Sequence, residues 1–304
     1  MVTGLAPVPL RAAYDAAHGG RWTSLRGGGR EWLWQGPEPG RHEVRPGDAF
    51  VDAGGLEECL PTVRGEPDHG EVWPRPWRTA GPDSAGPDAA GPDTAGPDAA
   101  GPDAAGPDSV VIERPTFTLT RRISESGGVV VADYRLAADP GYRFVWAAHA
   151  LLDLSPDARL DAPAGTPTRL HPEAAALLPP GTWPGDDPWL TGPWPAPAGL
   201  PLDTFGPADG TALGAVLLDC PVVRVTDGPD RLTLALECDG QPRSTALWRN
   251  LGGWPATAPY RSLGVEPMLG AAFDLADAGP ADAAIVPPTG EVAWRLTISA
   301  HRIH

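Results

Sequence analysis

Phe144-Val-Trp-Ala-Ala-His149-Ala-Leu-Leu-Asp153-Leu is an apolar run with a single histidine near its middle. It is short and carries valine and aromatics, so it predicts a buried strand rather than a helix. Gly128-Val-Val-Val-Ala-Asp-Tyr-Arg-Leu136, just upstream, has the same character, and the two are expected to be neighbouring buried strands. A histidine in such a run is either a core residue with its hydrogen bonds satisfied or a residue kept for its chemistry, because burying it without partners is costly. Far along the chain, Ser262-Leu-Gly-Val-Glu266-Pro-Met sets a carboxylate at the end of another apolar strand. A histidine and a glutamate meeting at one cleft could act as general acid and general base.

Outward from this run the chain reads as strands and turns. Arg21-Trp-Thr-Ser-Leu25 and Arg30-Glu-Trp-Leu-Trp34 alternate around Gly27-Gly-Gly29, which predicts a hairpin, with a further strand over residues 12–18. Residues 35–49 read as loop. Residues 50–63, with Gly54-Gly55 followed by Glu57-Glu58, read as a bent, irregular backbone. Residues 109–123 are strongly β, and residues 156–212, dense in proline, glycine and tryptophan, read as a long loop region that could cover a cleft. Strand patterns return over 214–225, 231–238, 244–251 and 291–298. With 39 prolines and 38 glycines and no βαβ rhythm, the reading is all-β, an antiparallel sandwich. The 304 residues are taken as one domain, 1–304, interrupted at 80–109 by six copies of Ala-Gly-Pro-Asp-x. That repeat has no large apolar side chain and is expected to be a disordered surface insertion.

Composition narrows the function. A net charge of −16 argues against a nucleic-acid partner, which would need a basic face. No apolar stretch approaches a membrane span, and the opening Met1-Val-Thr-Gly-Leu-Ala-Pro has no basic region followed by an apolar core. The expectation is a cytoplasmic protein; monomer and homodimer both stay open. The scattered Cys59, Cys220 and Cys238 fit no zinc spacing and read as reduced thiols. Asp68-His69-Gly70-Glu71-Val-Trp73-Pro-Arg75-Pro-Trp77 packs polar and aromatic side chains into one stretch, a pattern that suits a small polyhydroxylated ligand better than a metal.

Taken in order, these motifs resemble the galactose mutarotase-like (aldose 1-epimerase) superfamily, over about residues 12–300. Gly19-Gly-Arg-Trp-Thr-Ser-Leu and Arg30-Glu are similar to its first hairpin. Gly54-Gly-Leu-Glu-Glu-Cys-Leu-Pro-Thr is similar to a glycine–acid–proline bend, and His69-Gly70 to its sugar-contacting histidine. His149-Ala-Leu-Leu-Asp-Leu is similar to the segment with the catalytic histidine, and Val265-Glu266-Pro267 to that with the catalytic glutamate. Trp248-Arg-Asn250 and Gly253-Trp254 resemble the region beside the sugar. The resemblance implies a two-sheet β-supersandwich and an isomerase that interconverts sugar anomers without metal or organic cofactor. It implies Glu266 as base and His149 as acid, with His69, Arg30, Asn250, Trp254 and Glu58 as candidate sugar-binding residues. The galactose enzymes carry an aspartate that grips two sugar hydroxyls; no residue of this sequence matches it, and Asn250 is a nearby candidate. The alternative is a carbohydrate-binding or sensing protein without catalysis. Arg75 and Arg78 are the hint of a phosphorylated substrate.

Overall fold

Alternation along Phe117–Ser126, Val129–Ala138 and Glu291–Ile303 buries every second side chain and leaves the others toward solvent. These strands are half-covered, as in a sheet packed on one face. The computed structural model describes residues 4–36, 38–80, 109–185 and 188–304. The first sheet runs in the order Arg159–Asp161, Val222–Asp227, Asp230–Glu237, Glu291–Ile303, Val129–Ala138, Phe117–Ser126, Ser109–Glu113, Arg78–Thr79, with Leu5–Val8 also paired to Glu291–Ile303. The second runs Leu190–Pro193, Pro167–Leu170, Ala212–Leu217, Arg243–Leu251, Arg261–Leu269, Trp146–Leu152, Leu56–Cys59, Arg21–Gly27, Arg11–Asp15, with Arg30–Glu31 paired to Arg21–Gly27. The pairings within both sheets are antiparallel. Side chains from both sheets, including Trp22, Leu119, Tyr134, Trp146 and Leu296, form one core.

The second sheet differs in kind at its centre. Trp146–Leu152, Leu56–Cys59 and nearly all of Arg261–Leu269 are buried on both faces. One face packs on the first sheet and the other lies beneath loops, which is why residues 144–154 read as a continuous apolar run. Two expectations are corrected here. Gly128–Leu136 and the His149 run are not neighbours: their strands, Val129–Ala138 and Trp146–Leu152, lie in different sheets. The bend over residues 50–63 contains a regular strand, Leu56–Cys59, paired to the His149 strand. The predicted hairpin forms, with Arg26 opposite Glu31 and Gly27 opposite Arg30. The long loop region contains strands Arg159–Asp161, Pro167–Leu170 and Leu190–Pro193. All three cysteines are free and buried. Among the described residues no helix is long and apolar enough to cross a membrane.

The repeat expected to be disordered lies, but for its two ends, outside the described residues. Those ends meet. Arg78 and Thr79 pair with Val111 and Val110, and the Ala80 N–H donates to the Ser109 carbonyl at 2.8 Å. Replacing residues 81–108 by an Asn-Gly turn closes this hairpin with two residues. Loop-closure entropy changes by at most roughly 2 kcal/mol, in favour of the shorter loop. The expected melting temperature is equal or slightly raised, and calorimetry showing a loss of several degrees would contradict this.

Candidate active site

Strand register assembles the site. On both sides of an interruption in their pairing, Trp146–Leu152 and Arg261–Leu269 keep the register that sets His149 opposite Glu266. On its other flank His149 is opposite Glu57. Residues directly opposite one another project from the same face, so Glu57, His149 and Glu266 form a row across three strands. His149 Nδ1 stands 2.9 Å from Glu266 Oε1, and both residues are buried. The nitrogen is not aligned for a hydrogen bond, so the contact is an ion pair. Burial alone would push the His149 pKa down. The Glu266 carboxylate outweighs it, helped by Asp52 and Glu57, and the pKa is raised to about 9. A Cβ on residue 264 would lie 2.2 Å from Glu266 Oε1, so the carboxylate occupies space that only glycine leaves.

Behind the pair, Glu57 accepts two hydrogen bonds from Arg41, 2.6 Å from Nε and 2.9 Å from a terminal nitrogen, in a bidentate geometry that fixes both side chains. Arg21 approaches the same carboxylate at 3.6 Å.

His149 and Glu266 open into a cleft of about 270 Å³. On one side His69 stacks on Phe50, ring centroids 3.5 Å apart, and meets His149 edge-on at 5.1 Å. Burial and the neighbouring His149 charge lower the His69 pKa, against the pull of Asp68. Neutral His69 therefore carries its proton on Nδ1, 2.9 Å from Asp68 Oδ1, and keeps Nε2 as an acceptor. Its backbone is left-handed, and at Gly70 a Cβ would meet the Leu60 carbonyl oxygen at 2.1 Å, so the glycine after the histidine is a steric requirement. Asp52 accepts from the Tyr260 hydroxyl at 2.5 Å. On the other side Arg64 lies over Trp248 and Phe273 and donates to Glu173 at 2.5 Å. Burial pushes the Glu173 carboxyl up, but His171 and Arg64 hold it at about 2.

Four of the seven anticipated residues line this cleft: His149, Glu266, His69 and Trp254. Three lie elsewhere. Glu58 is one residue out of phase with Glu57 and points between the sheets, where it accepts from Arg121, Tyr134 and Trp146, each at 2.8 Å. Asn250 is fully buried; its side chain binds the backbone of Gly252, Gly253 and Trp254 and so shapes the loop that presents Trp254. Arg30 joins Asp227 at 3.0 Å and the Asp153 carbonyl at 2.5 Å, tying the two sheets at their edge. Sequence reasoning missed Asp52, Arg64, Glu173 and Phe273, all in the cleft wall, whereas Trp248, in the stretch likened to the region beside the sugar, does line the cleft. Asp52 had a signal, since it precedes the left-handed Gly54-Gly55 bend. Arg64 and Glu173 had none, because they meet across 109 positions of sequence.

No protein-family model and no curated protein matches the sequence. Solved structures match over nearly its whole length. The Slr1438 protein of Synechocystis superposes with a TM-score of 0.63 at 15% identity, over 99% of this chain and 96% of that one. A galactose mutarotase related enzyme from Lactobacillus acidophilus gives 0.58 at 12%, over 100% and 97%. A galactose mutarotase-like protein from Lactobacillus casei gives 0.53 at 14%, over 99% and 100%. At these identities the likeness is one of fold: the chain has the galactose mutarotase-like β-sandwich.

Proposed function

We propose that the cleft of this mutarotase-like sandwich interconverts the α and β anomers of an aldose, the reaction of an aldose 1-epimerase. Glu266 removes the proton of the anomeric hydroxyl while protonated His149 delivers one to the ring oxygen. The bond between C1 and the ring oxygen breaks, and the open-chain aldehyde turns about C1–C2. Closure then reverses both proton transfers and leaves the hydroxyl on the other face. The observation that carries this reading is adjacency. The two oxygens share one carbon, so acid and base must be neighbours, and His149 lies 2.9 Å from Glu266. The raised His149 pKa keeps the acid charged at neutral pH.

Binding follows from the walls. Trp254, 41% exposed at the cleft, offers a flat apolar face to sugar C–H groups. His69 Nε2, Asp52 and Asp68 offer acceptors to hydroxyls. An uncharged sugar fits better than a phosphorylated one. Asp52, Asp68, Glu173 and Glu266 line the cleft, and the guanidinium of Arg64 is engaged by Glu173. Arg78 is exposed and paired with Glu113, and neither it nor Arg75 lines the cleft.

Two expectations follow. The pH profile of kcat/KM falls as pH rises through about 9, because the free enzyme then loses the His149 proton; a profile flat to well beyond that pH would remove His149 from the acid role. Gly264→Ala displaces the Glu266 carboxylate, and a misplacement of this kind costs about a hundredfold in rate. An unchanged kcat in that variant would mean the carboxylate position is immaterial. The reading itself is tested by polarimetry on freshly dissolved neutral aldoses. Acceleration by native protein supports it, whereas binding without acceleration would make the protein a carbohydrate binder.

A further inference from the structure

Away from the cleft, Asp15, His18 and His42 bring three donor atoms within 4.8 Å of one another. None of the three lines the cleft. Asp15 ends the strand Arg11–Asp15, His18 follows in the next turn, and His42 sits in the short 3-10 helix Pro39–Glu43. Asp15 Oδ1 accepts from the Ala17 N–H at 2.9 Å, which fixes the carboxylate. Its other oxygen stands 2.7 Å from His18 Nδ1. The two imidazoles lie edge to face with centroids 4.6 Å apart.

The segments bearing these ligands are clamped together by Arg41, the residue before His42. Arg41 is 3% exposed. It donates to the His18 carbonyl at 3.1 Å and to the Trp73 carbonyl at 3.0 Å, while its fork grips Glu57. The backbone after His18 is pressed close as well, since a Cβ at Gly19 would lie 2.1 Å from the Trp73 carbonyl oxygen. The donors are thus held near one another by a buried network outside the ligand set, the arrangement that preorganises a metal site.

We propose that Asp15, His18 and His42 bind one divalent transition-metal ion of the zinc class, through two imidazole nitrogens and one carboxylate oxygen. Two nitrogen donors with one oxygen favour zinc, nickel or copper over magnesium or calcium, which take oxygen ligands. His42 is exposed, so the outer side of the site is open to water, which completes the coordination.

The test uses the full chain, untagged and stripped with EDTA. Zinc chloride is titrated by calorimetry, and cobalt(II) is followed by its visible absorption. One equivalent of zinc is expected to bind and to displace the cobalt signal. His42→Ala removes an exposed ligand with little risk to folding. It should weaken zinc by more than the roughly 10–100-fold that loss of an outer-shell partner costs, leaving the melting temperature of the metal-free protein unchanged. Asp15→Asn should weaken zinc in the same sense. Absence of zinc binding to the native chain, or binding of equal affinity in His42→Ala, would overturn the assignment.

Discussion

Glu266→Gln is expected to lower kcat for anomer interconversion by about 10²–10⁴-fold, the usual worth of a positioned acid–base group. The substitution keeps the shape of the side chain and removes its basicity. It also removes the charge that holds the His149 proton against burial, so His149 loses its raised pKa and the acid is disabled with the base. The two act as a unit, and His149→Gln/Glu266→Gln should be little slower than either single variant. Far-UV circular dichroism and the melting temperature separate loss of chemistry from loss of fold. A Glu266→Gln protein that folds and retains native kcat would remove Glu266 from the reaction.

Removing Glu58 is expected to have the largest effect on stability. Its ion pair with Arg121 has no exposure on either side, and the guanidinium lies among the rings of Tyr14, Trp22 and Trp77. Arg121 Nε and one terminal nitrogen have no hydrogen-bond partner, so Glu58 is its essential compensation. Glu58→Ala strands this charge between the sheets and also deprives the Tyr134 hydroxyl and Trp146 Nε1 of their acceptor. Breaking such a pair from one side costs about 3–5 kcal/mol. Glu58→Ala/Arg121→Met should be destabilised by less than the sum of the two single variants, the difference being about 0.5–3 kcal/mol. Denaturant unfolding measures both quantities. If Glu58 instead bound the sugar, its loss would raise KM and leave stability nearly untouched, which would contradict this assignment.

Glu57 and Glu58 also show where sequence reading reaches its limit. Both acids are legible as unusual, but which one faces the cleft depends on the pleat, and a shift of one residue moves a side chain to the opposite face. The apolar run around His149 is legible because its strand is buried on both faces, and the hairpin from Arg21 to Glu31 because glycines separate two alternating segments. His149 and Glu266 were each marked by a polar group inside an apolar strand. The register that sets them opposite one another is a property of the sheet, carried by no local pattern. The same holds for the separation of Val129–Ala138 from Trp146–Leu152, consecutive long strands that lie in different sheets. Asn250 was marked by its place beside Gly252-Gly253-Trp254, and its role proves to be the shape of that loop. Arg64 and Glu173 left no trace, because their pairing exists only once the fold has closed.

In the proposed reaction His149 and Glu266 open and close an aldose ring. Magnetisation exchange between the anomeric proton signals of the α and β forms, at equilibrium with native protein present, reports this directly. Exchange between the two signals is expected in at least one neutral aldose, absent without protein and absent with Glu266→Gln. Sugar signals that broaden on binding yet show no exchange with native protein, across a panel of aldoses, would contradict it.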